Sequence, residues 1–381
     1  MSKAINYCID VFDGTHESPK PTNYGYKLIT SKNIMNGYLD FTDSYFISKD
    51  DYEKINLRSK VNKWDVLFSM IGTVGNVCLI EEDNFDFAIK NIGVFSCNCK
   101  NKSVWLYYYL QSPYIKKLEK NYLNGAIQKF LPLNWLRELE IPDLDTHKER
   151  ISGILYSIDA QIKRNNEMVQ KLQVLAHTTF DYFSKNNNRS NFLALNDIII
   201  EKNKSKIQVS DIQDASGFIP FFTSGEAVLY ANEKLETGFN IFLSTGGNAK
   251  VQEYYGDVAY STDTWCITAK NNLQFYLFGY LKHIESQMNN LYFHGTGLKH
   301  LQKPLFLKSI ISIPNEDLLM KYNTIVKPIY RQMSKIEQST IQLQYLKNKL
   351  LPLLINQQLT WKNSYLNNLG RNFKLFQLTI Y

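Results

Sequence analysis

Two long stretches of the chain place apolar residues at alternating steps of four and three positions, which is typical of a helix with one apolar seam. In the first stretch the two seam positions are held by Ile151, Ile158, Asn165, Leu172 and Thr179 and by Leu155, Ile162, Val169, Ala176 and Phe183. In the second they are held by Tyr322, Ile329, Ile336, Leu343 and Leu350 and by Val326, Met333, Thr340, Lys347 and Leu354. Each pattern predicts a long helix.

Both seams continue beyond four heptads, which favours pairing of the two helices over the alternative of packing on a local core. Asn165 is typical of a polar seam residue that fixes the register of a helix pair. A helix over residues 151–183 would be about 48 Å long, so the pair would act as a rigid spacer. We expect Pro328 near the start of the second helix or at a kink, and Pro352 near its end.

Short apolar runs separated by Gly, Asn and Asp turns precede each long helix and predict strands. Such runs occur at residues 66–68, 77–80, 241–243 and 265–268. Shorter helical patterns follow at 104–121 and 273–290, and a polar linker lies at 186–191. The expected fold class is α+β, with strands first and helices late in each half.

The second half of the chain repeats the first at an offset of about 170–174 residues. Residues 64–72 align with 238–246, each an apolar run that ends in a glycine turn. The further matches, in the same order, are 106–110 with 277–281, Gly125 and Lys129 with Gly295 and Lys299, and Ile141-Pro142 with Ile313-Pro314. This order indicates a duplicated domain.

The charge, the lack of long apolar runs and the cysteine content limit the classes of protein to which this chain can belong. The net charge of +7 fits a polyanionic partner without requiring one. No apolar run approaches the roughly 18–20 residues of a membrane helix, and the start of the chain does not look like a secretion signal. We therefore expect a cytoplasmic protein without a membrane partner. The odd, scattered cysteines predict reduced thiols, with Cys97 and Cys99 buried on one face of a strand and no zinc site.

Catalytic motifs are missing from the sequence. It contains no GxxxxGK[ST] phosphate loop, no GxGxxG dinucleotide loop, no GxSxG elbow and no HExxH helix, and its histidines do not follow a metal-ligand spacing. We therefore predict no catalytic residue and no metal ligand.

Two glycine-containing loops occupy equivalent places in the repeat. Residues 294–300 combine glycine with His294, Thr296, Lys299 and His300, and residues 124–129 combine it with an amide and a lysine. A tight turn exposing polar residues is one interpretation. Duplication favours the other, in which the loops bind DNA: amides and lysines hydrogen-bond base edges, and lysines pair with phosphates.

Several segments resemble the specificity subunit of Type I restriction–modification systems. They are Phe12-Asp13-Gly14-Thr15-His16 with Pro19, residues 25–34, residues 65–75, and the endings Gly125…Ile141-Pro142 and Gly295…Ile313-Pro314, each before a long helix. The resemblance extends from about residue 5 to about residue 355. Its motifs are specific because they occur twice in the same order.

The resemblance implies two target-recognition domains that each bind half of a bipartite, asymmetric DNA site, and spacer helices that pair as an antiparallel coiled coil. The helices would dock two methyltransferase subunits, which bind S-adenosylmethionine and methylate adenine at N6. Restriction subunits would use ATP and Mg²⁺, while this chain would be non-catalytic and hold no cofactor. The expected domains are 1–145, with spacer helix and linker 146–189, and 190–315, with spacer helix 316–355 and a tail at 356–381.

Polar loop residues are the candidate contacts with double-stranded DNA. In the first domain they are Lys20, Asn23, Lys27, Lys32, Gln128 and Lys129. In the second they are Ser224, Thr245, Asn248, His294, Thr296, Lys299 and His300. Two alternatives stay open: a decoy that only binds methyltransferase subunits, and an autonomous nuclease or methyltransferase. An Asn/Asp-Pro-Pro-Tyr/Phe tetrapeptide is absent, which disfavours the methyltransferase.

Overall fold

The computed structural model describes residues 1–35, 37–83, 86–124, 130–186, 191–212, 217–225 and 227–355. The chain divides into two compact units. Unit 1 comprises Met1–Ala160 and Tyr345–Tyr381, and unit 2 comprises Gln161–Gln344. Both unit boundaries fall inside helices of 40 residues, so each unit contains a section of both helices.

Unit 1 is built from a four-stranded sheet, a three-stranded sheet, two short two-stranded sheets and helices. Its strands are β1 (Ser2–Lys3), β2 (Asp10–Asp13), β3 (Tyr26–Thr30), β4 (Ile34–Met35), β5 (Tyr38–Leu39), β6 (Tyr45–Ile47), β7 (Val66–Ser69), β8 (Val77–Leu79), β9 (Phe87–Lys90), β10 (Ile92–Ser96) and β11 (Glu140–Ile141). Its helices are α1 (Ala4–Tyr7), α2 (Lys49–Ser59), α3 (Lys100–Leu110), α4 (Pro113–Asn124), α5 (Leu133–Glu138) and the beginning of α6 (Thr146–Lys185).

Unit 2 repeats the two larger sheets of unit 1 but not every element, since α2 and the pair β4-β5 have no counterpart among its described residues. Its strands are β12 (Asn191–Ala194), β13 (Ile199–Glu201), β14 (Ile219–Phe222), β15 (Val228–Ala231), β16 (Phe239–Ser244), β17 (Val251–Tyr255), β18 (Ala259–Tyr260), β19 (Thr264–Ala269), β20 (Phe293–His294), β21 (His300–Leu301) and β22 (Ile310–Ile313). Its helices, besides the rest of α6, are α7 (Leu195–Ile198), α8 (Gln274–Leu291), α9 (Lys303–Leu307) and most of α10 (Glu316–Ile355).

The two units share one topology, which confirms the prediction of two similar α+β domains. The antiparallel sheet of unit 1 has the strand order β2-β10-β7-β8, and that of unit 2 has the equivalent order β13-β19-β16-β17. The second sheets have the orders β6-β3-β9 and β15-β14-β18. In each, the central strand pairs antiparallel with the first neighbour and parallel with the second. A duplicated sequence has therefore produced a duplicated fold.

Three of the four apolar runs predicted as strands form the central strands β7, β16 and β19, and the run at 77–80 forms the edge strand β8. Strands β7 and β16 are buried along their whole length, which is why they read as continuous apolar segments. In unit 2 the sheet packs against α8 and α10 in one core, through residues such as Ile241, Leu277 and Val326. The helical pattern at 104–121 forms two helices, because Pro113 begins a new one.

The helices α6 and α10 pack antiparallel, as the fold prediction requires. Within unit 2, the ring of Phe180 lies 6.5 Å from that of Tyr322, and Asn165 Nδ2 donates a hydrogen bond of 3.0 Å to Thr340 Oγ1. Within unit 1, Lys347 Nζ lies 2.8 Å from Asp159 Oδ1. Later residues of α6 thus meet earlier residues of α10.

The burial of the seam residues shows that α6 and α10 pair with each other and also pack on the core of unit 2. Ile151, Leu155, Ile158, Asn165, Ile329, Leu343 and Leu350 are buried, while Ile162, Leu172 and Ile336 are half-buried. Phe180 and Ile329 also belong to the core of unit 2. Packing on a local core and helix pairing, posed as alternatives by the sequence, therefore occur together.

Two local expectations are not met. Pro328 does not lie near the start of α10, which begins at Glu316, and a kink at this residue stays a prediction. Cys99 is exposed, unlike buried Cys97, because the strand ends at Ser96 before the second thiol. Pro352 lies in the last described turns of α10, as expected. No helix of the described residues is long and apolar enough to cross a membrane.

Candidate nucleic-acid interface

The strand β16 ends in a tight turn that a serine closes. Ser244 Oγ donates a hydrogen bond of 2.6 Å to the Asn248 carbonyl and accepts one of 3.0 Å from the Lys250 N–H. The enclosed residues 245–249 are called glycine turn 2. Gly247 has φ +79°, a conformation that glycine adopts without strain.

Glycine turn 2 is joined to the segment that contains four of the predicted DNA contacts. The Gly247 N–H donates to the Lys299 carbonyl at 2.9 Å, and the Leu301 N–H donates to the Thr245 carbonyl at 3.0 Å. Lys299 belongs to the loop between β20 and β21, called hairpin 2 (293–301). Gly295 in this hairpin is required, because its φ is +154° and a Cβ there would lie 2.5 Å from the Leu298 carbonyl oxygen.

A third loop meets glycine turn 2 through one carbonyl group. Thr245 Oγ1 donates to the Asp263 carbonyl at 2.7 Å, and the Ser224 hydroxyl donates to the same oxygen. Ser224 and Thr245, both predicted DNA contacts, thus use their hydroxyl hydrogens to hold loops together. Their contact with DNA stays a prediction.

Five predicted residues on these loops have free side chains. Asn248, His294, Thr296, Lys299 and His300 are all exposed, and their side chains make no hydrogen bond with another described residue. His294 and His300 are directly paired across the two short strands. The structure therefore brings these five candidates, together with Ser224 and Thr245, into one set of connected loops that presents amide, imidazole, hydroxyl and ammonium groups.

Unit 1 contains the same turn. Ser69 Oγ donates to the Thr73 carbonyl at 2.5 Å and accepts from the Asn76 N–H at 2.7 Å, which encloses glycine turn 1 (70–75). The Leu131 N–H donates to the Met70 carbonyl at 2.9 Å, just as Leu301 pairs with Thr245 in unit 2. Gln128 and Lys129 lie outside the described residues.

This correspondence shifts the sequence alignment by one residue. Ser69 and Ser244 occupy the same structural position, whereas the alignment of 64–72 with 238–246 places Ser69 opposite Leu243. A shift of one residue reverses which side chains face each side of a strand. Apolar composition alone could not resolve it, because both strands are buried on both faces.

The other candidates of the first domain are less connected. Lys32 is exposed and follows Ser31, whose Oγ lies 3.4 Å from the Ile71 N–H, so it lies beside glycine turn 1. Lys27 Nζ lies 4.1 Å from the centre of the Phe46 ring and donates to the Ser44 carbonyl at 3.2 Å. The exposed Lys20 and Asn23 have no described contact with glycine turn 1.

Sequence analysis missed the helix residues that hold the glycine turns. In unit 2, Glu285 Oε1 accepts a hydrogen bond of 2.7 Å from the Val251 N–H. Asn289 Oδ1 accepts one of 2.6 Å from the Ala249 N–H. Both acceptors lie on α8, one turn apart, so a single helix fixes the end of glycine turn 2.

A Lys-x-x-Glu spacing that occurs in both repeats could have revealed these supporting helix residues. In unit 1, Lys116 Nζ donates to the Gly75 carbonyl and lies 3.2 Å from Glu119 Oε2. In unit 2, Lys282 Nζ lies 2.5 Å from Glu285 Oε2. Burial raises the pKa of Glu119, and the neighbouring Lys116 opposes that rise. The same spacing on the late helix of both repeats marks residues that support the turns.

Comparisons with known proteins agree with this architecture. A family model described as the Type I restriction modification DNA specificity domain matches residues 15–174 and 188–351. A comparison with curated protein sequences gives no match. The crystal structure of a Type I restriction–modification system S subunit from M. genitalium is similar, with 14% identity, a TM-score of 0.61, and coverage of 93% of this chain and 95% of that chain.

A second solved structure, the HsdS subunit from Thermoanaerobacter tengcongensis, is 12% identical over 94% of this chain and 96% of that chain, with a TM-score of 0.34. The similarity to the M. genitalium subunit concerns the fold. The family model matches both repeated domains and extends over most of the chain. On that basis the chain belongs to the Type I restriction modification DNA specificity family, as a specificity subunit that recognises DNA.

Proposed function

We propose that each unit contacts one half of a bipartite, asymmetric site in double-stranded DNA, and that α6 and α10 dock two methyltransferase subunits. Restriction subunits would join the complex through the methyltransferases. These partners would hold S-adenosylmethionine, ATP and Mg²⁺, while this chain would supply recognition without catalysis. The observation that carries the proposal is the serine-closed glycine turn that occurs in both units, linked in unit 2 to the exposed residues of hairpin 2.

The chemistry of the connected loops in unit 2 suits a DNA groove. Amide and imidazole groups, as in Asn248 and His300, hydrogen-bond base edges, whereas the Lys299 ammonium pairs with phosphate. Because Gly247 and Gly295 carry no side chain, the backbone of these turns can come close to a phosphate. The net charge of +7 adds attraction that depends on salt concentration.

An exposed apolar stripe on α6 supports the docking of a partner. Met168, Leu175 and Tyr182 are 49%, 50% and 64% exposed. They are spaced seven residues apart, so they lie on one side of the helix. Exposed apolar side chains aligned on one helix face are typical of protein-binding surfaces, and we assign this one to a methyltransferase subunit.

A double substitution tests this surface. M168E/L175E should reduce co-purification of the methyltransferase at least tenfold and leave DNA binding by the isolated subunit unchanged. Leu235, an apolar residue of unit 2 that is 41% exposed, provides the matched control L235E. Equal methyltransferase recovery from M168E/L175E and L235E would remove the stripe from the docking surface.

The whole proposal is tested by mapping adenine methylation in a methylation-free host that expresses this chain with its neighbouring methyltransferase. A bipartite motif with a fixed gap is the expected result. Co-purification of the two proteins without new methylation would instead support a decoy. Methylation or cleavage by the purified chain alone, with S-adenosylmethionine or Mg²⁺, would contradict the non-catalytic role.

A further inference from the structure

Two histidines and an aspartate meet in unit 2, away from the connected loops. His177 and Asp181 lie one turn apart on α6, and His283 lies on α8. His283 Nδ1 is 3.2 Å from Asp181 Oδ1, and His177 Nε2 is 3.7 Å from Asp181 Oδ2. One potential ligand atom from each residue lies within 4.8 Å of the other two.

The packing of α6 on α8 explains why these side chains converge. Gly279 allows the approach, because a Cβ at this position would lie 2.4 Å from Phe180 Cδ2. Phe180 is buried, and its ring centre lies 6.0 Å from that of His283. His283 follows Gly279 by four residues and so lies on the same face of α8. A buried aromatic contact therefore holds the two helices at the distance that the cluster needs.

Asp181 offers an oxygen atom without a good partner. Its Oδ1 is shielded from solvent and accepts no hydrogen bond of good geometry from the described residues, although His283 Nδ1 is near. A shielded carboxylate oxygen normally has a hydrogen-bond donor or a cation beside it. The two imidazole rings, 48% and 53% exposed, can adjust around such a cation.

We propose that His177, Asp181 and His283 bind one divalent transition-metal ion. Two imidazole nitrogens and one carboxylate oxygen suit Zn²⁺, whereas Mg²⁺ and Ca²⁺ prefer oxygen ligands alone. Tetrahedral zinc at about 2.1 Å from each ligand needs ligand atoms about 3.4 Å apart. The partly exposed side chains reach this spacing by small rotations, and water takes the fourth position.

The ion would join the spacer helix to the second domain. α6 supplies two ligands and α8 supplies the third, so binding would stabilise their packing in the folded state. Sequence spacing did not indicate this site, because His283 is far from His177 along the chain and only the fold of unit 2 brings them together. The site is separate from the candidate DNA contacts, so the proposed function and the metal site can fail independently.

Titration of the tag-free, full-length protein with Zn²⁺ and Co²⁺ tests the proposal. We expect one ion per chain, a visible absorption band typical of tetrahedral Co²⁺, and a rise in melting temperature with Zn²⁺. H177A and H283A should each weaken Zn²⁺ binding at least about tenfold. D181N should weaken binding as well, while circular dichroism shows that the variants remain folded.

Two controls separate this site from other histidines. H147A removes a histidine of α6 outside the cluster and should bind Zn²⁺ like the unchanged protein. H294A/H300A removes the pair that faces across hairpin 2 and should also bind normally. Absence of Zn²⁺ binding, or binding that survives in H177A/H283A and is lost in H294A/H300A, would overturn the proposal.

Discussion

Two glutamates in unit 2 are held in surroundings that favour the protonated form. Burial, followed by the proximity of Glu337, raises the pKa of Glu253 to about 8. Burial raises the pKa of Glu337 to about 7. Glu253 lies on β17 and Glu337 on α10, so the pair sits where the long helix meets the sheet. At neutral pH the folded protein therefore retains protons that the unfolded chain releases.

Because of this pair, we expect the free energy of unfolding of unit 2 to decrease as the pH rises. A carboxyl group with a raised pKa contributes fully to stability below its ordinary value of 4.5, and the contribution decreases as the pH rises towards 8. The loss approaches about 1.4 kcal/mol per pH unit for each group. E337Q should raise the urea midpoint at pH 8 and flatten its pH dependence. The control is E233Q, at an exposed glutamate; identical pH profiles for E337Q and E233Q would contradict the prediction.

Lys299 illustrates how one side chain would contribute to affinity without specificity. Its carbonyl is held by the Gly247 N–H, so the backbone is fixed while the exposed ammonium remains free. K299A should weaken binding to all DNA sequences alike and lower the slope of log K against log salt by about one. K335A, at an exposed lysine of α10, is the matched control. A change of specificity in K299A would instead make Lys299 a base contact, worth about 1–3 kcal/mol.

At the scale of elements, the periodicity of apolar residues predicted the helices and strands whose formation depends on burying apolar side chains. The heptad seams gave both long helices and their pairing, and the apolar runs gave the central strands. Tertiary contacts decided the rest: α10 continues through Pro328, and Cys99 follows the end of its strand instead of lying within it. Periodicity does not distinguish loop residues that are free to contact a ligand from residues such as Ser224, which hydrogen-bond within the loops.

Helix α8 contains no candidate DNA contact, but it holds glycine turn 2 in place. We therefore expect a substitution in α8 to weaken DNA binding. E285A would leave the Val251 N–H without its acceptor, which costs about 1–3 kcal/mol, and would loosen the turn. We expect lower stability and several-fold weaker DNA binding. E285Q keeps an oxygen acceptor and should retain most of both. Equal losses in E285A and E285Q would mean that the charge of Glu285, paired with Lys282, matters more than the hydrogen bond.

At the scale of the whole molecule, the duplicated fold would make the proposed recognition of DNA modular. Each unit has its own four-stranded and three-stranded sheets, its own core and its own serine-closed turn, so the fold of one does not require the loops of the other. The two long helices are the elements that both units share. Under the proposed function, sequence divergence between the units would create two different half-sites while the shared helices stay unchanged.

Exchange of residues 190–315 for the equivalent domain of another family member should therefore change one half of the methylated motif and leave the other half and the gap unchanged. The gap is expected to persist because both spacer helices are retained. Methylation mapping in the same host provides the measurement, with the unchanged chain as reference. A new sequence in both halves, or a new gap, would mean that recognition is shared between the units and that the helices alone do not set the spacing.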